Sequence, residues 1–268
     1  MKLTDQHLET FHEQGYVCVE NFYPEEMRAR ISSEIREQMP PWNQIKDTEA
    51  ATERNTADFP YEEQFFNQLI LDQDLIDFIA RVLGTEDIHF RYAHNWTRYP
   101  TAEKADDPML HRDNGNNSLL PINHVAAYGQ ISSWYFPEDV GADNAPMRIV
   151  PKEFNDDVSK CRYLTVPGNT QMIFNTHIWH SATTYRGEEG QRYTVTRIYG
   201  RADHFWEGVF SYTNMGSRPS LREFIGTLTA RQREYFRFPP AGHAYYTAET
   251  LALLEEQYPG WNSRGEYA

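Results

Sequence analysis

Apolar residues recur at helical spacing in the first third of the chain, gather in short β-rich runs in the middle, and return to helical spacing near the end. In residues 3–13, Leu8 and Phe11 share a face behind Thr4, a residue type that caps helix starts, and Gly15 ends the run. Tyr16-Val17-Cys18-Val19 then predicts a short strand, being β-branched and flanked by turn residues. Residues 24–38 carry Met27, Ile31 and Ile35 four apart, behind Pro24 and two acidic residues, which predicts a second amphipathic helix. Pro40-Pro41 stops it. Residues 42–60 are polar and without period, as in a surface loop or a lid. From 61 to 83, Phe65, Leu69, Leu75, Phe78, Ile79 and Leu83 keep to the helical period, and Gly84 stands at the stop.

Beyond Gly84 the texture changes. Residues 88–99, 125–136, 147–150, 163–166, 171–175 and 193–199 are short β-rich runs punctuated by Pro, Gly, Asn and Asp. Such runs suggest a sandwich or jelly roll. Residues 220–236, with Leu221, Phe224, Ile225 and Leu228 on one face, and residues 247–258, behind Thr247, predict helices again. The expected fold is α+β with a mainly β core. One domain spans 1–268, with helical support in 1–84, a jelly roll in 85–200 and a helical extension in 201–268. No internal repeat or low-complexity segment interrupts it.

Charge narrows the partners. The 268-residue chain carries a formal net charge of −14, which disfavours a phosphate backbone and hence nucleic acid. A pocket can still be locally basic and take a small anion. Two cysteines without CxxC spacing support neither a disulfide framework nor a thiolate zinc site, and a reducing cytoplasm is the expected compartment. The polar first residues lack the apolar core of a signal peptide, and no apolar run approaches the roughly 18 residues of a spanning helix, so no membrane partner is expected. The expected partner is a small-molecule substrate, and the sequence leaves a homo-oligomer open.

Candidate chemistry gathers at His111-Arg112-Asp113, followed far downstream by His180 and Arg192. On a strand, His111 and Asp113 point to the same side, because the side-chain period is two. Two imidazoles and a carboxylate suit a non-haem Fe(II) centre that keeps open positions for a bound acid and O₂. His180 follows a strand-like run at 172–174 and can return to the same place; His177, three residues earlier, would face the opposite way on an extended strand. Arg192 offers a planar fork that matches a carboxylate and stays charged. The His-x-Asp pair alone is a weak signal.

The surrounding text strengthens it. The opening from Leu3-Thr4-Asp5-Gln6 through Gly15-Tyr16-Val17, the His111-Arg112-Asp113 triplet, Trp134-Tyr135-Phe136, the run Asp143-Asn144-Ala145-Pro146-Met147-Arg148-Ile149-Val150-Pro151, His180-Ser181 and the run from Arg192 to Tyr199 together resemble the phytanoyl-CoA dioxygenase family of Fe(II)/2-oxoglutarate oxygenases. The resemblance implies a double-stranded β-helix, the cupin-like form of the jelly roll. It implies that His111, Asp113 and His180 ligate Fe(II), that Arg192 pairs with the far carboxylate of the cosubstrate 2-oxoglutarate, and that O₂ takes an open position. It also implies hydroxylation of an unactivated C–H bond of a small organic molecule, with 2-oxoglutarate decarboxylated to succinate. Asp113 itself disfavours halogenation, because halogenating relatives carry a small residue there.

The chain departs from the family at three points. Where the family often has a small hydroxyl residue two positions after the distal histidine, this chain has Ala182, so Ser181 or Thr183 would have to hold 2-oxoglutarate instead. The family's Asn-Gly turn is Asn144-Ala145, which would put Asn144 in the left-handed conformation. The glycine-rich ending after Pro151 is replaced by Lys152-Glu153-Phe154. Gln130 is a further cosubstrate or substrate contact on a predicted strand, aligned with Tyr128 and Ser132. Either Tyr92, His94 and Trp96 or the opposite set Arg91, Ala93 and Asn95 would form a pocket wall. Two rival functions use the same residues: a jelly-roll protein that binds a metal or small acid without turnover, and a zinc hydrolase.

Overall fold

The structure is a computed structural model that describes residues 3–100, 106–112, 130–203, 219–236 and 238–267. Its centre is two antiparallel sheets. With strands numbered along the chain, the larger has the order β1 (Tyr16–Val19), β7 (Thr170–Asn175), β4 (Ile131–Phe136), β9 (Arg192–Arg201), β3 (Ile88–Arg98), β2 (Arg54–Asp58). The smaller has the order β6 (Arg162–Leu164), β5 (Met147–Ile149), β8 (His180–Ser181). This is the expected mainly β core with helices outside it.

Strand periodicity divides the core in two. Ile131 and Tyr135 of β4, Ile173 of β7 and Val195 of β9 face the helices and join a cluster with Phe11, Ile31, Leu75 and Phe78. The alternate residues Trp134, Phe136, Met172 and Phe174 face the smaller sheet and pack with Trp96, Met147 and Ile149. The candidate chemistry lies on this second, inter-sheet face.

The helices α1 (Asp5–Gln14) and α2 (Glu25–Gln38) match expectation. Thr4 caps α1 in a reciprocal pair with His7, and Gly15 ends it at φ 78°. The single helix expected over 61–83 is instead two, α4 (Gln64–Leu69) and α5 (Gln73–Leu83). Asp72 breaks the run: it caps α5 through the Leu75 N–H and lies 3.8 Å from the buried Arg197 of β9. Arg197 also donates to the Leu69 carbonyl at 3.0 Å, to Tyr23 at 3.1 Å and to Gln171 of β7 at 2.7 Å. Residues 42–60 also depart from expectation, holding the short α3 (Trp42–Ile45) and the edge strand β2. β2 escapes the hydrophobic pattern because Arg54-Asn55-Thr56-Ala57-Asp58 is polar and largely exposed. The predicted helix over 220–236 is likewise split, into α6 (Pro219–Thr227) and α7 (Ala230–Glu234), because Thr229 caps a new start. Among the described residues no helix is long and apolar enough to cross a membrane.

Candidate metal and acid-binding site

His111 joins the edge of the smaller sheet as an isolated antiparallel bridge to His180. Each donates its main-chain N–H to the other's carbonyl, at 2.9 and 3.0 Å. Facing residues of a bridge project to the same side, and the two imidazole rings stand 4.7 Å apart. Phe174 of β7 packs edge-on against His180 at 4.8 Å and fixes its ring. On the other side of the bridge Arg112 stacks over Trp179 at 4.4 Å and pairs with Asp156. The preceding residues are clamped to the segment that follows β8: Asp107 accepts from the Thr184 N–H at 3.1 Å and from Arg186 at 2.9 Å.

Both rings are oriented through Nδ1. That of His180 lies 2.9 Å from the Ile178 carbonyl, and that of His111 3.2 Å from the Met109 carbonyl. A carbonyl only accepts, so in each neutral ring the proton sits on Nδ1 and Nε2 carries the lone pair. This is the tautomer that an Nε2 metal ligand needs, with the main chain as its orienting partner.

The two histidines line a cavity of about 380 Å³ between the sheets, together with His94, Trp96 and Arg98 of β3, Arg54 of β2 and Ser132 and Trp134 of β4. Of the two expected wall sets, His94 and Trp96 line the cavity, whereas Arg91, Ala93 and Asn95 are buried and are not among the lining residues. His177 is also buried and is not among the lining residues. Asp113, together with Tyr128, lies outside the described residues. A larger open groove, about 840 Å³, runs between α2 and Pro137-Glu138, but its lining residues include no histidine or cysteine.

Arg192 lies at the start of β9, 1% exposed, with its guanidinium 4.2 Å from the Trp96 ring. Its Nη1 donates to Thr194 at 2.8 Å, while Nε and Nη2 are buried without a hydrogen-bond partner. Burial holds its pKa down to about 9, and the charges of Arg98 and Arg54 act in the same direction. A buried guanidinium with two orphaned nitrogens fits an absent anion. Gln130 is buried just before β4 and is not among the lining residues, and its Nε2 is also unsatisfied.

Ser181 and Thr183 are brought elsewhere. The Ser181 hydroxyl accepts from Arg148 Nε and Nη2, at 3.1 and 3.0 Å, and Thr183 donates to the Pro146 carbonyl at 2.8 Å. Alternation turns both away and leaves Ala182 on the cavity wall beside His180. The turn at Asn144-Ala145 also differs from expectation. Ala145 itself takes φ 52°, while the Asn144 side chain accepts from the Gly141 N–H and donates to Tyr185.

Sequence reasoning missed Arg54 and Arg98. Arg98 carried a signal, since it continues the alternation of His94 and Trp96; Arg54 lay in a stretch without periodicity.

The Phytanoyl-CoA dioxygenase (PhyH) family model matches residues 11–192. No curated protein matches the chain. Solved structures do. The non-heme alpha ketoglutarate dependent epimerase SnoN from nogalamycin biosynthesis is 14% identical, with TM-score 0.58, over 74% of this chain and 83% of that one. HygX from Streptomyces hygroscopicus, with nickel and 2-oxoglutarate bound, is 14% identical, with TM-score 0.58, over 76% and 89%. The carbocyclase SnoK from nogalamycin biosynthesis is 14% identical, with TM-score 0.56, over 80% and 90%. At these identities the likeness speaks for the fold, a double-stranded β-helix, and the family match for descent. The chain belongs to the phytanoyl-CoA dioxygenase family.

Proposed function

We propose that the chain is an Fe(II)- and 2-oxoglutarate-dependent dioxygenase that hydroxylates a C–H bond of a small organic molecule. The observation that carries this reading is the His111–His180 pair, two imidazoles with Nδ1 tied to main-chain carbonyls and lining one cavity, together with the buried Arg192, which packs against Trp96 of the cavity wall with two nitrogens unsatisfied. His111, His180 and Asp113 would hold the metal. Iron or nickel with 2-oxoglutarate in the crystallised neighbours supports the cofactor pair.

When bound, Fe(II) and 2-oxoglutarate supply the oxidising power: O₂ is reduced as the keto acid loses CO₂ to give succinate, and a substrate C–H bond gains a hydroxyl group. The chain's own residues position and shield. His111 and His180 present neutral Nε2 lone pairs without a change of tautomer. Arg192 pairs with the far carboxylate of 2-oxoglutarate and recovers the hydrogen bonds its Nε and Nη2 lack. Trp96 and Trp134 flank the cavity and keep water from it. Gln130 offers an amide to cosubstrate or substrate.

Anaerobic titration of the metal-free protein with Fe(II) and 2-oxoglutarate tests this. A visible charge-transfer band is expected, together with succinate formation once O₂ and a substrate are admitted. A folded, iron-loaded protein without the band would overturn the oxygenase reading and favour a zinc hydrolase or a binding protein.

A further inference from the structure

Three arginines stand in one row across three neighbouring strands. Arg54 of β2 is the register partner of Arg98 of β3, and Arg98 is the register partner of Arg192 of β9. Their guanidinium carbons lie 5.3, 5.6 and 4.2 Å from the centre of the same Trp96 ring. Like charges directly opposite one another repel, and the shared ring offsets only part of that. Among the described residues none of the three makes an ion pair, and the Nε of Arg98, like that of Arg192, is buried without a partner. Burial and the neighbouring Arg54 both hold the pKa of Arg98 below the usual arginine range.

The three differ in access. Arg192 is fully buried against Trp96, Arg98 is half-buried on the cavity wall, and Arg54 is exposed on the edge strand. Arg54 and Arg98 share that wall with His111 and His180. One carboxylate satisfies one guanidinium fork. On the oxygenase reading above, 2-oxoglutarate turns one carboxylate to the metal and its other to Arg192, and no further anion remains for Arg98 and Arg54. A cavity of about 380 Å³ falls within the size of small-molecule sites and leaves room beside a cosubstrate of five carbons.

We infer that Arg98 and Arg54 form a second anion subsite, so that the primary substrate is a small organic acid or phosphate ester. Its anionic end binds the Arg98–Arg54 pair while its reacting carbon is held toward His111 and His180. The inference rests on the oxygenase reading. On a chain of net charge −14, a cationic mouth also draws anions to this opening.

The test is calorimetric and needs no turnover. Protein loaded with Ni(II) and saturated with 2-oxoglutarate is titrated with inorganic phosphate and with benzoate, as wild type and as R54Q, R98Q, R98K and R192Q. At least one probe is expected to bind wild type. R98Q should weaken that binding by about tenfold or more and R54Q by about threefold, with R98K recovering part of the loss. Affinity for 2-oxoglutarate should stay within about twofold in R98Q and R54Q, and fall by about tenfold or more in R192Q. Whichever probe binds more tightly tells a carboxylate substrate from a phosphoryl one. Melting curves show that the variants fold, and R98Q should melt above wild type, because it removes a repulsive charge. Failure of both probes to bind saturated wild type would overturn the inference. So would a loss of 2-oxoglutarate affinity in R98Q as large as that in R192Q, since the row would then serve one anion only. A metal-loaded wild type that binds no 2-oxoglutarate overturns the oxygenase reading itself, and this is seen before any probe is added.

Discussion

His111 and His180 are cross-strand partners that exchange both main-chain hydrogen bonds, at 2.9 and 3.0 Å, with their rings 4.7 Å apart. Asp113, the third residue of the proposed ligand set, lies two positions after His111 in the sequence. We predict that His111→Ala and His180→Ala each lower metal affinity by more than the roughly 10–100-fold that loss of an outer hydrogen-bond partner costs. His177→Ala should leave it within a few fold. Titration of metal-free protein with Ni(II) checks this; loss of binding in the His177 variant alone would reverse the assignment.

Arg192→Met separates stability from binding. The native side chain buries a charge with two unsatisfied nitrogens. An apolar replacement of similar length should stabilise the ligand-free protein by roughly 1–3 kcal/mol, while 2-oxoglutarate affinity falls by about tenfold or more. Urea denaturation with and without 2-oxoglutarate measures both.

Ser181→Ala tests the hydroxyl that stands next to the distal histidine. Its oxygen is held by Arg148 on the side away from the cavity. The substitution should change 2-oxoglutarate affinity by less than about twofold and lower stability by about 1 kcal/mol. A large loss of affinity would mean that the hydroxyl turns inward when the cosubstrate binds.

Ala145 holds a left-handed backbone, φ 52°, where glycine carries no penalty. Ala145→Gly should therefore stabilise the fold by about 1 kcal/mol, read as a higher denaturation midpoint.

Alkali should destabilise the protein. Burial pushes the Cys18 thiol up to about 12 from 9.0, and burial raises Tyr135, Tyr193 and Tyr199 above 10.0. Groups whose proton is retained in the fold but released on unfolding contribute stability below their unfolded pKa values and lose it as pH rises. Each contributes a slope of about 1.4 kcal/mol per pH unit above pH 9–10. Arg192, lowered toward 9, and Arg98, also lowered by burial, act with the opposite sign, but they are two groups against four. Denaturation midpoints at pH 8, 10 and 11 should fall in that order.

Much of this was legible in the sequence. Thr4, Gly15, Pro24 and Gly84 marked helix ends through local chemistry, and the core strands were marked by short β-rich runs between turn residues. The two histidines and Arg192 stood out because few residue types perform their roles. What escaped were features set by distant partners. Asp72 looks like an ordinary helix residue until Arg197, far along the chain, requires an acid at that spot. Arg54 sits on an edge strand whose only reason to be extended is the neighbour it pairs with. The orientation of Ser181 depends on Arg148, which no local pattern links to it.

Arg197 has a wider consequence. A single side chain binds the gap between two helices, the tyrosine after the first strand and the middle of the large sheet. Cutting the chain after residue 84 would remove three of its partners and leave a buried charge with Gln171 still accepting from it, a loss of about 3–5 kcal/mol. The N-terminal helices and the β-core therefore melt together, as one cooperative unit, and neither half is expected to be expressible as a stable fragment.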